Sequence, residues 1–596
     1  MTINLSLGNS TKHLNFDAMS PAQSRRYDEI VEELVEEFNA LIGTMHEGNE
    51  NNLAWLLSSI ASRNPYQSEL FERCCRLVYA REWVTHLDEE PGFILLSDYA
   101  LCRKLRREFN DHGSLIIKYT GSLLQRLKDR VLPWLCLARN AVLLMQRLIF
   151  RYPRRTADWE ERKPLILLDT FVYPDDVDGG RFLAGRYNDS LYPGLFANVP
   201  EAIKDQLVYL PTFIGMSWYW PVFREVRSVS SMLLMDDFLR ITDYLTLFFS
   251  PLRKVEPFKC QLALRNFHLT ALIQEEQHRR RADWSRILAE MNYCFVRRLK
   301  QSGVPLLSVL DWHENQVIDR GLTLGVRRFY PGVKVVGYQG WVMGYRTGCQ
   351  IPIEHEVHAQ LTPDSIAVIG KAQSNLLAMK TSIPVFLAPA FRYNYLWDDR
   401  QDQPDPNWFT VLVGLTCARD DALRMMDQVI LVAKQLKNEQ RIQFWVRPHP
   451  SNNFAWWQMR INSLELKNMR LVKGGVIESI EGCNLFLGEE TSMCVEALVK
   501  GVFVVIIGNM QGITENPIPD HLAPDRWQIC YGEAEIAEII KTQAKSGFIK
   551  NEETAKEVCR DCFQEVTRDS VREFIEKLAP TESDWKELPN EVLIDE

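Results

Sequence analysis

At 596 residues the chain is too long for one ordinary domain and suits roughly two to four. It is 46% hydrophobic and 25% charged, the balance of a soluble globular protein, and this argues against long disorder. The formal net charge of −9 gives no global attraction to nucleic acid, which is not an expected partner.

The 13 cysteines have no disulfide-like spacing and fit a reducing, cytoplasmic setting. Cys559 and Cys562 form a C-x-x-C within a polar helical pattern, where one helix face is a simpler reading than a redox or metal pair. Residues 1–16 lack the basic-then-apolar order of a secretory signal. No apolar run reaches the roughly 18 residues that span a bilayer. The nearest, Val131 to Tyr152, contains Arg139, Gln146 and Arg147.

Residues 1–18 read as a loosely attached leader. Ser20-Pro21-Ala22-Gln23 is a capping-box-like helix start with proline at the first helical position. Ile30, Leu34, Phe38 and Leu41 then recur at helical spacing. Further helices are expected near 52–62, 66–86, 97–109, 114–129 and 133–151, which makes the first 150 or so residues an all-helical region. The helix Val131–Phe150 is rich in large apolar residues and ends at Arg147, Arg151, Arg154 and Arg155. It suits either a buried packing helix or contact with an anionic membrane surface.

From Lys163 the pattern changes. Apolar runs at 164–171, 206–212, 304–310 and 333–339 read as strands of a buried parallel sheet. Helical patterns at 228–249, 262–300 and 315–328 lie between them. Strands alternating with helices predict a doubly wound α/β domain. The polar, proline-containing stretch 398–406 reads as a hinge region. A second α/β domain follows, with strands at 408–416, 441–446, 469–472, 485–488 and 502–507, and helices at 419–437, from Met493, and near 533–542 and 551–577. The acidic C-terminal residues read as frayed.

Three strand-end turns in this second domain carry the chemistry. Gly414-Leu415-Thr416 offers a glycine where backbone can approach a ligand. Arg447-Pro448-His449-Pro450-Ser451 stops a strand abruptly, because proline cannot continue it. It gathers a base, an imidazole and a hydroxyl at a strand mouth, where ligands of open α/β sheets bind. The bland reading of this turn is a strand-to-loop transition with a hydrogen-bonded histidine. Gly488-Glu489-Glu490-Thr491-Ser492 opens a helix whose start would suit phosphate. The two carboxylates would repel phosphate, so one should point away or meet a sugar hydroxyl.

The His-Pro turn, followed by a Thr-Ser turn before the helix Val495-Glu496-Ala497-Leu498, resembles the donor domain of GT-B glycosyltransferases. The nearest likeness is to bacterial enzymes using CMP-activated acid sugars, the sialyltransferases and Kdo transferases of capsule and lipopolysaccharide assembly. The stretches Asp311-Trp312-His313-Glu314-Asn315-Gln316, Gly337-Tyr338-Gln339-Gly340 and Leu361 to Gly370 resemble bacterial surface-carbohydrate biosynthesis proteins. The resemblance implies two Rossmann-like domains facing a cleft, behind the helical region. Their bounds would be 1–155, 160–395 on the acceptor side and 405–580 on the nucleotide-sugar side. It further implies a phosphate site at Arg447, His449, Thr491 and Ser492. Gly414, Thr416, Ser451 and Glu490 would complete the donor site. Where relatives would carry a histidine after Tyr338-Gln339, this chain has Gly340, a departure from the pattern that weakens any catalytic role at that position.

An acceptor hydroxyl needs a base. Glu314 is the first candidate, beside a tryptophan that would stack on a sugar, and Asp311, His313 and Asp169 are others. Asp236 and Asp237 read as solvated or hinge-side. Glu354, His355, Glu356 and His358 have metal-like spacing without a matching second group, and no metal site is expected. The segment Gln274 to Arg281 reads as a solvated helix face, or as a basic helix that steers an anionic acceptor lipid. The function expected is transfer of a nonulosonic or Kdo-type sugar from a CMP-linked donor, with no other cofactor, to a bacterial O-antigen or capsule acceptor. The expected acceptor is a glycan or lipid-linked glycan, with peripheral contact at the inner membrane surface. A UDP-sugar 2-epimerase-like enzyme and a non-catalytic assembly scaffold are the alternatives.

Overall fold

The computed structural model describes residues 12–579 apart from 88–90, 154–158, 160–162, 179–180, 184–185, 254, 256–257, 259–260, 398–403, 440 and 547–551. Most of the expected hinge, the first eleven residues of the expected leader, Arg154, Arg155 and the C-terminal tail lie outside them.

The N-terminal region is mostly helical, but it also holds a small parallel sheet that the helical pattern did not announce. Strands β1 (Lys12–Asn15), β2 (Gly92–Leu96) and β3 (Leu115–Tyr119) pair in that order. Helices α1 (Pro21–His46), α2 (Leu70–Thr85), α3 (Tyr99–Glu108) and α4 (Leu123–Phe150) surround it. The start of α1 is as expected: the Ser20 side chain accepts from the Gln23 amide, and the Gln23 side chain accepts from the Ser20 amide. Residues 12–16 are not a loose leader, since Leu14 and Phe16 are fully buried. The expected helix 114–129 is in fact β3 followed by the start of α4. The run Leu-Ile-Ile-Lys-Tyr is β-branched and aromatic, and it pairs with β2 along its length.

Two six-stranded, all-parallel sheets follow. The first contains β4 (Leu165–Val172), β5 (Leu207–Phe213), β6 (Leu306–Trp312), β7 (Lys334–Gln339), β8 (Ser365–Val368) and β9 (Val385–Leu387). Their spatial order is β9-β8-β7-β6-β4-β5. The second contains β10 (Phe409–Gly414), β11 (Ile442–Arg447), β12 (Met469–Leu471), β13 (Leu485–Gly488), β14 (Phe503–Ile507) and β15 (Trp527–Cys530), ordered β12-β11-β10-β13-β14-β15. In each sheet the chain starts inside, winds to one edge, then returns to wind the other way. The reversal falls between β4 and β6 in the first sheet and between β10 and β13 in the second. Such switch points open a crevice at the carboxyl ends of the strands.

The expected helices 228–249, 262–300 and 551–577 are each broken. The last is two helices, Glu552–Cys562 and Arg568–Leu578. The break lets the chain return to the first domain: Ala390 N donates to the Gln564 carbonyl at 2.9 Å, and Phe574 packs on Tyr338 and Phe391. The molecule is thus a GT-B-like pair of Rossmann-like domains behind a mainly helical region.

That region clasps both domains. Asp28 on α1 meets Arg346 of the first domain at 3.0 Å, and accepts from Tyr531 of the second at 2.5 Å. Glu356 is fully buried between Arg63 and Arg320. The two guanidiniums outweigh desolvation and hold its pKa down at about 2. The residues with metal-like spacing therefore diverge, with Glu356 in this triad and His358 on the surface beside Glu354. Asp236 and Asp237 are not solvated. Asp236 takes two bonds from Arg147 of α4, at 2.9 and 2.7 Å, with both side chains fully buried, and Asp237 pairs with Arg227. The segment Gln274 to Arg281 likewise packs on the N-terminal region, with the fully buried Glu276 against Arg73. Cys559 and Cys562 lie on one helix, as expected.

Candidate functional site

The turns that follow β10 and β11 are joined to each other. Leu415 N donates to the Arg447 carbonyl at 3.0 Å, and the Asn452 side chain donates to the Thr416 carbonyl at 2.9 Å. At Gly414 the space a side chain would need is filled: a Cβ would meet the Phe486 ring at 2.7 Å. Its smallness therefore serves packing of β10 on β13 rather than close approach of a ligand. The Arg447 guanidinium is turned to the Gly474 carbonyl and the Ser479 hydroxyl, at 2.8 and 3.2 Å.

The Ser451 amide donates to His449 Nδ1 at 3.2 Å, and the Ser451 hydroxyl lies 2.8 Å from the same atom. A backbone amide can only donate, so Nδ1 is the acceptor and Nε2 carries the proton. Solvent reaches His449, yet partial desolvation, then the charge of Arg392, lowers its pKa below the usual value. A neutral imidazole thus presents an N–H donor at the strand mouth.

In the turn after β13, Glu489 faces Arg424 at 3.0 Å, with burial raising its pKa to about 7. Glu490 turns instead toward Glu515. Both carboxyls crowd Gly344, where a Cβ would lie 2.9 and 2.7 Å from their oxygens. Burial, then the neighbouring Glu515, pushes the Glu490 pKa well up, which disfavours two charges on this pair. The Ser492 hydroxyl donates to Glu496 at 2.8 Å, and Tyr395 donates to the other Glu496 oxygen at 2.8 Å. The Ser492 hydroxyl is therefore already committed, while Thr491 makes only a long contact to the Met493 amide.

In the first domain, Glu314 lies half-buried just past β6. Its carboxylate accepts from Trp312 Nε1 at 2.8 Å and from the Gln316 side chain. Burial raises its pKa, against these two bonds. Trp312 itself is 1% exposed and offers no face to a sugar. Asp311 and Asp169 are enclosed, at 1% and 2% exposure. Asp311 bonds His313 at 3.1 Å, and Asp169 has its pKa pushed well up by burial and then by Asp311. Asp311, His313 and Asp319 bring ligand-type atoms within 4.8 Å of one another, in a fully buried cluster behind Glu314. Gly340 has no room for a side chain, as a Cβ would lie 2.1 Å from Tyr338 and 2.7 Å from Trp312.

A cavity of about 720 Å³ lies between the domains. It brings Glu314 together with Thr416, Glu490, Thr491 and Ser492. Gly414, Arg447, His449, Ser451, Asp311 and Asp169 are not among its lining residues. Two further residues stand out. Trp341 lines the cavity, and its indole N–H is buried with no hydrogen-bond partner among the described residues. Arg392, from the segment after β9, is exposed and lies over Trp312 at 5.6 Å. Its charge acts on Glu314, on His449 and on Glu496, so it stands between the two strand-end clusters. The signal for Arg392 was a strand followed by Ala388-Pro389-Ala390, the same strand-stop logic as at 447–450.

No protein-family model matches the sequence, and no curated protein matches it either. Solved structures with a similar course include three relatives at low identity. UDP-GlcNAc 2-epimerase from Neisseria meningitidis bound to UDP-GlcNAc is 12% identical, with a TM-score of 0.37, over 70% of this chain and 100% of that one. MurG from Acinetobacter baumannii is 11% identical, with a TM-score of 0.36, over 70% and 100%. The glycosyltransferase SnogD from Streptomyces nogalater is 11% identical, with a TM-score of 0.38, over 70% and 100%. Likeness at this level assigns neither substrate nor chemistry.

Proposed function

We propose that this chain is a glycosyltransferase that moves a sugar from a nucleotide-activated donor to a glycan acceptor in the interdomain cavity. The observation that carries the reading is the convergence of strand-end turns from both parallel sheets on one cavity. Glu314 stands on one wall; Thr416, Glu490 and Thr491 stand on the other.

Glu314 removes the proton of the acceptor hydroxyl. The new glycosidic bond forms as the bond from sugar to nucleotide phosphate breaks, and the nucleotide leaves with the electron pair. Burial raises the Glu314 pKa, which makes its carboxylate a stronger base than an exposed one. Arg392 and His449 lie outside the cavity lining, so the nucleotide phosphate extends beyond the cavity to the Arg392 guanidinium and the His449 Nε2–H, fixed donors that stabilise the leaving group. Arg447 holds the loop 474–479 that flanks this turn. Protonated Glu490 donates to a sugar hydroxyl, which removes the repulsion that two adjacent carboxylates would otherwise bring. No step uses a metal. The donor is a CMP-linked nonulosonic or Kdo-type acid, and the acceptor is a bacterial surface polysaccharide or its lipid-linked precursor.

No helix among the described residues is long and apolar enough to cross a membrane. Peripheral contact is supported by the outer side of α4, where Leu124, Val131, Leu135, Val142 and Ile149 are exposed. Lys128 and Arg139 flank that stripe, a pattern suited to an anionic bilayer surface.

Thermal shift with CMP, CDP, UDP and GDP tests the donor. A rise in melting temperature with CMP supports the reading; a rise with UDP alone rejects the CMP assignment. Turnover of a free UDP-sugar without acceptor makes the protein an epimerase, and no shift with any nucleotide leaves a scaffold. His449→Ala should abolish the shift at unchanged stability, and an undiminished shift removes His449 from the phosphate site.

A further inference from the structure

The small sheet of the N-terminal region is parallel, and its carboxyl edge opens on a groove of its own. Beyond β2 lie Ser97 and Asp98, and beyond β3 lie Gly121 and Ser122. All four line a cavity of about 920 Å³, at the upper end of the size that encloses a drug-sized ligand. It is larger than the interdomain cavity.

The charges lining this groove do not balance. Its carboxylates are mostly paired. Glu69 and Glu275 meet Arg73 or Arg279, Asp98 meets Arg73, and Glu72 meets Arg76. Asp129 accepts from Gln125. Four guanidiniums are left over. Arg103 and Arg107 stand one turn apart on α3, and Arg126 and Arg130 one turn apart on α4. None of the four side chains has a hydrogen-bond or ion-pair partner among the described residues. Arg126 is held in place over the Tyr99 ring, at 3.7 Å. Two facing pairs of unmatched arginines, in a protein of net charge −9, form a local field that selects anions and accepts them bidentately.

The groove and the interdomain cavity share a wall. Glu72 and Arg76, paired at 2.7 Å, line both. The interdomain cavity that this pair lines also takes in Asn64 to Gln67 and Glu314. A chain lying along the arginines would therefore reach Glu314 past the Glu72–Arg76 pair.

We propose that the groove between α3 and α4 holds an anionic glycan, the acceptor chain, and presents its end to the interdomain cavity. The glycan identity of the ligand rests on the glycosyl-transfer reading; the anion site itself does not. Carboxylate and phosphodiester groups share the chemistry the arginines recognise, so the probes must separate them.

The test uses the full chain and fluorescence anisotropy, with three labelled probes of matched charge: an oligogalacturonide, a glycerol-phosphate oligomer and a single-stranded oligothymidylate. One or both of the first two should bind more tightly than the oligothymidylate, and the one that binds identifies the charged group. The variant Arg103→Gln/Arg107→Gln should weaken that binding about tenfold or more, the size of one or two lost charge-assisted bonds. Its response to nucleotide should not change. Both residues are exposed, so a circular-dichroism melt should match the parent. Equal or tighter binding of the oligothymidylate, no binding of either glycan-type probe, or an unaltered affinity in the variant each overturns the proposal. Failure of the donor reading looks different: nucleotides give no response while glycan binding and its loss in the variant persist.

Discussion

In the proposed transfer, Glu314 is the residue on which the chemistry turns. It stands at the mouth of β6, held by Trp312 and Gln316, with burial raising its pKa. Only its ionised form can take a proton, so activity should rise with pH through that raised pKa and level off above it. Glu314→Gln keeps shape and bonding but removes the base. We expect a rate loss of about a hundred- to ten-thousand-fold, with nucleotide binding retained, measured as nucleotide release under saturating donor. Full activity in this variant would move the base elsewhere. Part of this residue picture was legible in the sequence, because a carboxylate just past an apolar strand falls at a strand mouth in any parallel sheet. The burial of Asp169 and Asp311 was not legible, since strand-end position alone does not say how deep a side chain lies. The place of Trp341 on the cavity wall and of Arg392 between the strand-end clusters was hidden for another reason: their neighbours there come from segments far apart in sequence.

Among the elements, the buried strands were the most readable. The runs that became β4, β5, β10, β11, β13 and β14 are continuous apolar stretches ended by Gly, Pro or polar residues, and the structure places strands there within one or two residues. The N-terminal strands were missed because β2 and β3 are five residues each and lie between strong helical patterns. Helix α4 shows what its pattern concealed. Its exposed apolar stripe hid a buried polar anchor, Arg147 on Asp236, with Tyr244 donating to the same carboxylate at 2.6 Å. Removing one partner of a fully buried ion pair leaves the other uncompensated. Asp236→Ala should therefore destabilise the protein by about 3–5 kcal/mol, read from urea unfolding. A change below 1 kcal/mol, within the range of a surface pair, would mean that water compensates Arg147.

For the whole molecule, three regions are locked together through buried charge. The Arg63–Glu356–Arg320 triad ties the N-terminal region to the first domain. The folded pKa of Glu356, about 2, lies below its ordinary value of 4.5. Its contribution to stability is thus complete above pH 4.5 and is lost as pH falls toward 2. Urea midpoints of the parent should drop across that window, and Glu356→Gln should be less stable near neutrality with a flatter acid limb. Parallel curves for the two proteins would remove the triad from the account.

The central claim is that turns from both large sheets form one nucleotide-sugar site. Amide hydrogen exchange of the full chain with and without CMP tests it most directly, because ligand contact slows local opening in the segments it touches. The account predicts added protection at 415–418, 448–452 and 489–493 of the second domain, together with 314–316 and 341–343 of the first. Protection confined to one domain, or none at saturating CMP with any other nucleotide also silent, would contradict it.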